Sequence, residues 1–269
     1  MAFDADAVGV AAVGRGAGRG RLRGFRRAPL AAGALVPSPA GDNLVSADEV
    51  LEALSRAVEE LGGLRQRATI VLPDGIARLA LLELPAGAEP RDYVRFRLAG
   101  SLPWAASEAA FDVLRVGRRR VVGAALRRAT VARYEQLAVA AGLAVDRVHL
   151  APLMAIGAVL GRGRREGVHV LLGDVALCLA LVRDGELVAI RSRRRAGSEG
   201  EGRWLIEEAE RTARMAGNGH RPPDLVVWGS GCGRLLGSLG TAAVPGGALA
   251  GSAAWPDAAE AAWLAGALG

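Results

Sequence analysis

The stretch Val168-His169-Val170-Leu171-Leu172-Gly173-Asp174-Val175-Ala176-Leu177-Cys178-Leu179-Ala180-Leu181-Val182-Arg183-Asp184-Gly185-Glu186-Leu187-Val188-Ala189-Ile190-Arg191 decides the fold. Its apolar runs at 168–172, 176–182 and 187–191 each have the length of one strand, with a turn at Asp184-Gly185 between the last two. The pattern predicts a three-stranded antiparallel meander. The segment 199–215, with Trp204, Leu205, Ile206 and Ala209, reads as a helix, Pro222-Pro223 ends the connection, and 224–228 reads as a further strand. The turn Gly229-Ser230-Gly231-Cys232-Gly233 starts another helix, 241–251 reads as loop, and 258–268 as a last short helix.

The N-terminal region repeats this layout more faintly. Residues 7–13 are small and apolar, 14–21 are rich in glycine and arginine, and 22–30 return as a strand, so a glycine-turned meander is expected here too. From Ser46, Val50, Leu51, Leu54, Val58 and Leu61 fall at helical spacing, with serine as N-cap, Glu49 at the third helical position and Gly62-Gly63 as the stop.

Between the two meanders lies a unit read as β-β-α-β-β-α-β over 68–150. Thr69-Ile70-Val71-Leu72, the turn Pro73-Asp74-Gly75 and the strand 76–84 read as a hairpin. Pro90 opens a short amphipathic helix ending at Gly100; strands 111–116 and 121–126 flank a basic turn; Thr130 caps a helix ending at Gly142; and 144–150 closes the unit. A helix over 152–160 leads on to the second meander.

Composition narrows the function classes. The chain has 269 residues and 51% hydrophobic content with mean hydropathy +0.23, long enough to bury a core, yet no apolar run reaches the roughly 18 residues that cross a bilayer. Met1-Ala2-Phe3-Asp4 is acidic where a secretory leader is basic, so a cytoplasmic protein is expected. All 34 basic residues are arginine, which excludes lysine as a P-loop residue, Schiff base or general base. Cys178 and Cys232 lack the spacing of a zinc or redox motif and are read as reduced, and none of the three histidines forms a ligand-spaced pair. The net charge of +6 would suit nucleic acid, but Arg118-Arg119-Arg120 and Arg193-Arg194-Arg195 have no interleaved aromatics and read as solvated turns, so no specific nucleic acid is expected.

Two meanders each followed by a helix, with an α+β insertion in the first half, resemble the actin-like superfamily. The segments LRGFRRAPLAAGALV (22–36), IVLPDGIARLALLELP (70–85), LPWAASEAAFDVLRV (102–116), VVGAALRRATVARYEQLAVAAGLAVDRVHL (121–150) and VALCLALVRDGELVAIRSR (175–193) are similar to the PilM family of type IV pilus assembly proteins. That family is related to the cytoplasmic part of GspL in type II secretion. The resemblance implies an actin-like α/β fold with duplicated ribonuclease-H-like halves. It divides the chain into a first half over 1–67, completed by the helix 151–162, an inserted subdomain of the 1C type over 68–150, and a second half over 163–269.

It also implies a function: a cytoplasmic scaffold, peripheral at the inner membrane, that binds the tail of a bitopic assembly protein of the PilN or GspL/GspM kind. A pilus or secretion motor ATPase would be a further partner. In the family, ATP with Mg²⁺ lies between the halves, held by glycine amides and hydroxyls of each meander's first turn. The corresponding residues here are Asp4 in Asp4-Ala5-Asp6-Ala7, Gly173 and Asp174 in Leu172-Gly173-Asp174-Val175-Ala176, and Gly229, Ser230 and Gly231 at the adenosine turn. The first turn has neither glycine nor hydroxyl and adds Asp6 where phosphate would sit; the second has no hydroxyl. A degenerate site without hydrolysis is therefore expected, with no cofactor required and no metal centre, and a working actin-like ATPase as the alternative.

Tyr93, Phe96, Trp104 and Phe111 concentrate much of the chain's small aromatic complement in the inserted unit, where they read either as its core or as anchors for a partner. Arg91, Arg95 and Arg97 on the same helix would pair with an acidic peptide or anionic head groups. Other chemistry is weaker. Ser230 lacks the glycine two positions before it that a nucleophile elbow needs, Glu207, Glu208 and Glu210 read as a solvated acidic face, and His149 reads as an ordinary strand residue.

Overall fold

The computed structural model describes residues 1–14, 21–63, 67–161, 166–173, 175–195, 200–217, 224–229, 239 and 243–245. Each half is built on a five-stranded sheet. In the first, β1 (Ala2–Phe3), β2 (Ala7–Gly14) and β3 (Arg21–Pro29) form an antiparallel meander, and helix α1 (Ala47–Glu59) carries the chain to β4 (Arg67–Leu72), parallel to β1. The fifth strand, β8 (Ala144–Leu150), pairs parallel with β4. In the second half β9 (Gly167–Leu172), β10 (Ala176–Arg183) and β11 (Glu186–Arg194) form the meander and α5 (Glu201–Met215) leads to β12 (Leu225–Gly229), followed by β13 (Ala243–Pro245). The orders β3-β2-β1-β4-β8 and β11-β10-β9-β12-β13 are the same arrangement twice.

Within the described residues the predicted meanders and the helices expected near 46–61, 90–100, 130–141, 152–160 and 199–215 are present, while the helix expected after Gly229-Ser230-Gly231-Cys232-Gly233 lies outside them; the corrections share a cause, that local pattern does not choose a strand's partners. Residues 69–84 do not form a hairpin. β4 is bonded on both edges, by β1 and β8, which leaves no edge for β5 (Arg78–Glu83); β5 pairs instead with β7 (Arg120–Arg127), itself paired with β6 (Ala109–Arg115). The sheet topology therefore divides 68–150 differently from the expected boundaries. β4, β8 and the helix α3 (Arg128–Ala140) lie with the first half, where Tyr134, Leu137 and Ala138 join its core, and the separate sheet β5-β7-β6 runs from 78 to 127. Helix α2 (Pro90–Ala99) covers that sheet so closely that a Cβ on Gly123 of β7 would sit 2.7 Å from a Val94 methyl.

Local details differ as well. Glu49 does not close a capping box on Ser46; its carboxylate accepts from the Ala31 amide at 2.6 Å, tying α1 to the loop after β3. Gly62 and Gly63 end α1 at φ 95° and 62°, with the Gly63 amide donating to Val58 O. Thr130 is not a cap, because α3 begins at Arg128. Arg193 and Arg194 belong to β11 rather than to a turn, and the loop expected over 241–251 contains β13. The final helix expected over 258–268 lies outside the described residues.

The largest surprise is Glu208, which is not solvated. It is 2% exposed under β11, with Oε2 3.1 Å from an Arg191 nitrogen and 3.0 Å from Arg193 Nε, and Oε1 2.9 Å from Arg211. The Thr212 hydroxyl donates to Glu208 O and accepts from Arg191, so one buried carboxylate fastens α5 to the edge strand of its sheet.

Candidate functional site

Parallel strands direct their carboxyl ends to one side, and ligands of open α/β sheets bind beyond those ends. Here the two halves face each other in that way. β1, β4 and β8 end at Phe3, Leu72 and Leu150, β9 ends at Leu172, and the cleft between them is lined by Phe3, Asp4, Asp74, Pro152, Leu172 and Gly173, among others.

Asp4 opens the β1–β2 turn, where its amide donates to Ala7 O at 2.9 Å; Gly173 opens the β9–β10 turn, where its amide donates to Ala176 O at 2.9 Å. Both amides are thus spent closing their own turns. The turn is close at Gly173, where a Cβ would lie 3.0 Å from Ala176 O. Its carbonyl accepts from Arg195, which also grips Glu201 at the start of α5 through two bonds of 2.5 and 2.8 Å. Asp6 pairs with Arg27 at 2.7 Å, so the expected second negative charge in the phosphate position is partnered by a cation.

The residue that sequence reasoning missed is Asp74. It follows the end of β4, and Pro73-Asp74-Gly75 reads as an ordinary turn; the signal was a carboxylate just beyond a buried strand's carboxyl end. Its Oδ1 accepts from the Gly75 amide at 2.7 Å and from the Ser192 hydroxyl at 3.3 Å, while Oδ2 is shielded from solvent without a hydrogen-bond partner. Burial lifts its pKa from 3.8 to about 6, against the opposing pull of those two hydrogen bonds. Gly75, at φ 89°, brings the first half against the second: a Cβ on it would lie 3.3 Å from Ala176 Cβ. Cys178, buried on β10 opposite Ser192, has its thiol pKa pushed well up by burial and by Asp74.

Asp4, Asp74 and Gly173 are brought together, and Gly229 ends β12 in register with Leu172. Asp174, Ser230 and Gly231 lie outside the described residues, as does Cys232. The space in the cleft is about 50 Å³, against roughly 300–1,000 Å³ for pockets that enclose small-molecule ligands. Among the described residues no group of three His, Cys, Asp or Glu side chains could hold a metal ion. Among the described residues of the site, the first turn offers no hydroxyl and the amides of Asp4 and Gly173 are used within their own turns.

In the three-stranded unit, Tyr93 and Phe111 pack against the cluster of Leu84, Val94, Leu98, Val121 and Ala125. Trp104 is half-buried with its Nε1 shielded and without a partner. Phe96 is 77% exposed, beside exposed Arg95 and Arg97, while Arg91 lies 3.7 Å from Asp112. A second cavity, of about 190 Å³, lies where this unit meets the first half.

No family model and no curated protein matches the chain. Solved structures do. A chain of a PilM-PilN type IV pilus biogenesis complex superposes with a TM-score of 0.68 at 18% identity, over 91% of this chain and 86% of that one. The cytoplasmic domain of EpsL, an inner membrane component of the type II secretion system of Vibrio cholerae, superposes with a TM-score of 0.52 at 15% identity, over 84% and 79%. With the repeated sheet order, this likeness shows the fold that the sequence resembles: actin-like, α/β, in two matching halves.

Proposed function

We infer that the chain is an actin-like scaffold of a type IV pilus or type II secretion assembly platform. It binds the cytoplasmic tail of a bitopic inner-membrane protein of the PilN kind and does not turn over nucleotide. The observation that carries this reading is the likeness to a chain of a PilM-PilN complex across nine-tenths of the present chain. The cleft supports it: an acidic first turn, the amides of Asp4 and Gly173 consumed within their own turns, and little open space. Among the described residues no helix is long and apolar enough to cross a membrane; in this reading the partner supplies attachment to the inner membrane. Docking is assigned to the three-stranded unit and its junction with the first half, with exposed Phe96 and Arg95 as outward contacts. In this reading Arg91, Tyr93 and Trp104 complete the contact.

Co-expression tests the scaffold. The chain should sediment with membranes when the bitopic partner is present and stay in the supernatant without it. Equal sedimentation in both cases contradicts the reading.

A second reading, an ATP-binding ATPase of the same fold, is favoured by one observation: Asp4, Asp74 and Gly173 meet at facing strand ends. Nucleotide-dependent phosphate release distinguishes it.

A further inference from the structure

A side-chain hydrogen bond spans the rim of the interlobe cleft, from the Ser192 hydroxyl on β11 to Asp74 Oδ1 at 3.3 Å, between residues 118 positions apart. Backbone from both halves closes in around it. A Cβ on Gly75 would lie 3.3 Å from Ala176 Cβ, and one on Gly173 would lie 3.9 Å from Asp74 Cβ. Behind the rim the two halves and the three-stranded unit share an apolar core, in which Val122 and Ile156 pack with Leu171, Cys178, Ala180 and Leu187.

Rim and core differ in kind. Apolar packing is indifferent to pH, whereas the rim holds a carboxylate with one oxygen bonded and the other, Oδ2, shielded from solvent without a partner. Such a group is tolerated as the neutral acid and is costly when ionised unless water reaches it. The surrounding charges do not relieve it. Asp4 on the β1–β2 turn and Arg27 on β3 line the same cleft, and Arg27 is held by Asp6. Arg195 is occupied by Glu201 and Gly173 O. From β10, the Cys178 thiol is hydrogen-bonded to the same Ser192 hydroxyl and is kept protonated by burial and by Asp74. Glu186, the other carboxylate of the seam, is paired with Arg120. Ser192 is exposed, so a small parting of the rim lets water reach Oδ2.

We propose that the Asp74–Ser192 pair is a proton-controlled latch on the interlobe cleft, shut while Asp74 carries a proton and released at the rim when it ionises, with the apolar core as pivot. Local opening of this kind leaves the rest of the fold intact. The Asp74 pKa is 3.8 in water and about 6 with the latch shut. Closure is therefore fully favoured below pH 3.8 and loses favour as pH rises through about 6. The latch does not rest on the scaffold reading, since it uses neither the tail nor its docking surface.

Hydrogen exchange of the full chain at pH 5 and pH 7.5, each corrected for the intrinsic pH dependence of amide exchange, tests it. Between these pH values the segments 73–77 and 190–195 should lose protection by about tenfold, while α1 stays unchanged. Asp74→Asn should hold the rim protected at both pH values. Ser192→Ala should lower rim protection at pH 5 by about fivefold, the scale of one hydrogen bond, and Ser192→Thr should restore it. Glu186→Gln should leave the pH difference as it is. Cys178, 0% exposed beside the latch, gives a second readout. In a Cys232→Ser background at pH 7.5, a neutral methanethiosulfonate should label Cys178 more slowly in Asp74→Asn than with Asp74 in place. Loss of the charge alone would act the other way, by making the thiol easier to ionise. Equal rim protection at the two pH values, a loss shared by α1, a pH difference that Glu186→Gln abolishes, or faster labelling in Asp74→Asn overturns the latch.

Discussion

Ser192 on β11 donates its hydroxyl to Asp74 Oδ1 at 3.3 Å, joining the second half of the molecule to the first. A second tie, Arg120 to Glu186 at 3.3 Å, joins the three-stranded unit to the same strand. Together they tie the walls of the cleft, and they set Asp74 where its other oxygen is shielded without a hydrogen-bond partner.

The pH dependence follows from that burial. Asp74 has a pKa of 3.8 when unfolded and about 6 when folded, so folding favours its protonated form. Its contribution is fully present below pH 3.8 and is lost as pH rises through about 6. At neutral pH the ionised carboxylate thus costs on the order of 1–3 kcal/mol. Asp74→Asn should raise stability at pH 7.5 by roughly 1–2 kcal/mol and leave little difference from the parent at pH 4. Urea unfolding at both pH values checks it; equal effects at the two pH values contradict the burial of this carboxylate.

Removing Glu208 strips Arg191, whose side chain is 16% exposed, of its buried counter-charge. Glu208→Ala should destabilise by about 3 kcal/mol, a fall in Tm of roughly 6–12 °C for a chain of this size. Glu207→Ala, on the exposed side of the same helix, should change Tm by no more than about 2 °C.

The contrast between these two glutamates marks how far sequence reasoning reaches. Acids on an amphipathic helix are usually solvated, and only the packing of α5 against β11 reveals that Glu208 faces Arg191 and Arg193. Periodicity and punctuation were enough for both meanders, for α1 and its Gly62-Gly63 stop, and for α2 between Pro90 and Gly100, since those signals are local. Strand partners are non-local, so the exchange of β5 from β4 to β7 was invisible, and with it the true role of Pro73-Asp74-Gly75 as the bridge between two sheets. At the candidate site Asp4 and Gly173 were named through the family resemblance, which points to the first turn of each meander. Asp74 was not, because a proline-aspartate-glycine turn needs no further explanation until the cleft is seen.

Turnover should be absent. With Mg²⁺-ATP, phosphate release should equal that of an Asp4→Ala, Asp74→Ala double variant. A rate that the double variant abolishes would restore the ATPase reading.

Titration calorimetry of the full chain with the cytoplasmic tail of a PilN-like bitopic membrane protein from the same organism tests the central claim most directly. The scaffold account predicts saturable one-to-one binding that needs no nucleotide. It also predicts that Phe96→Ser, at a position 77% exposed, weakens binding by about fivefold or more while stability changes by no more than about 0.5 kcal/mol. No heat of binding to the tail, with or without Mg²⁺-ATP, from a protein whose circular dichroism shows it folded, would contradict the account.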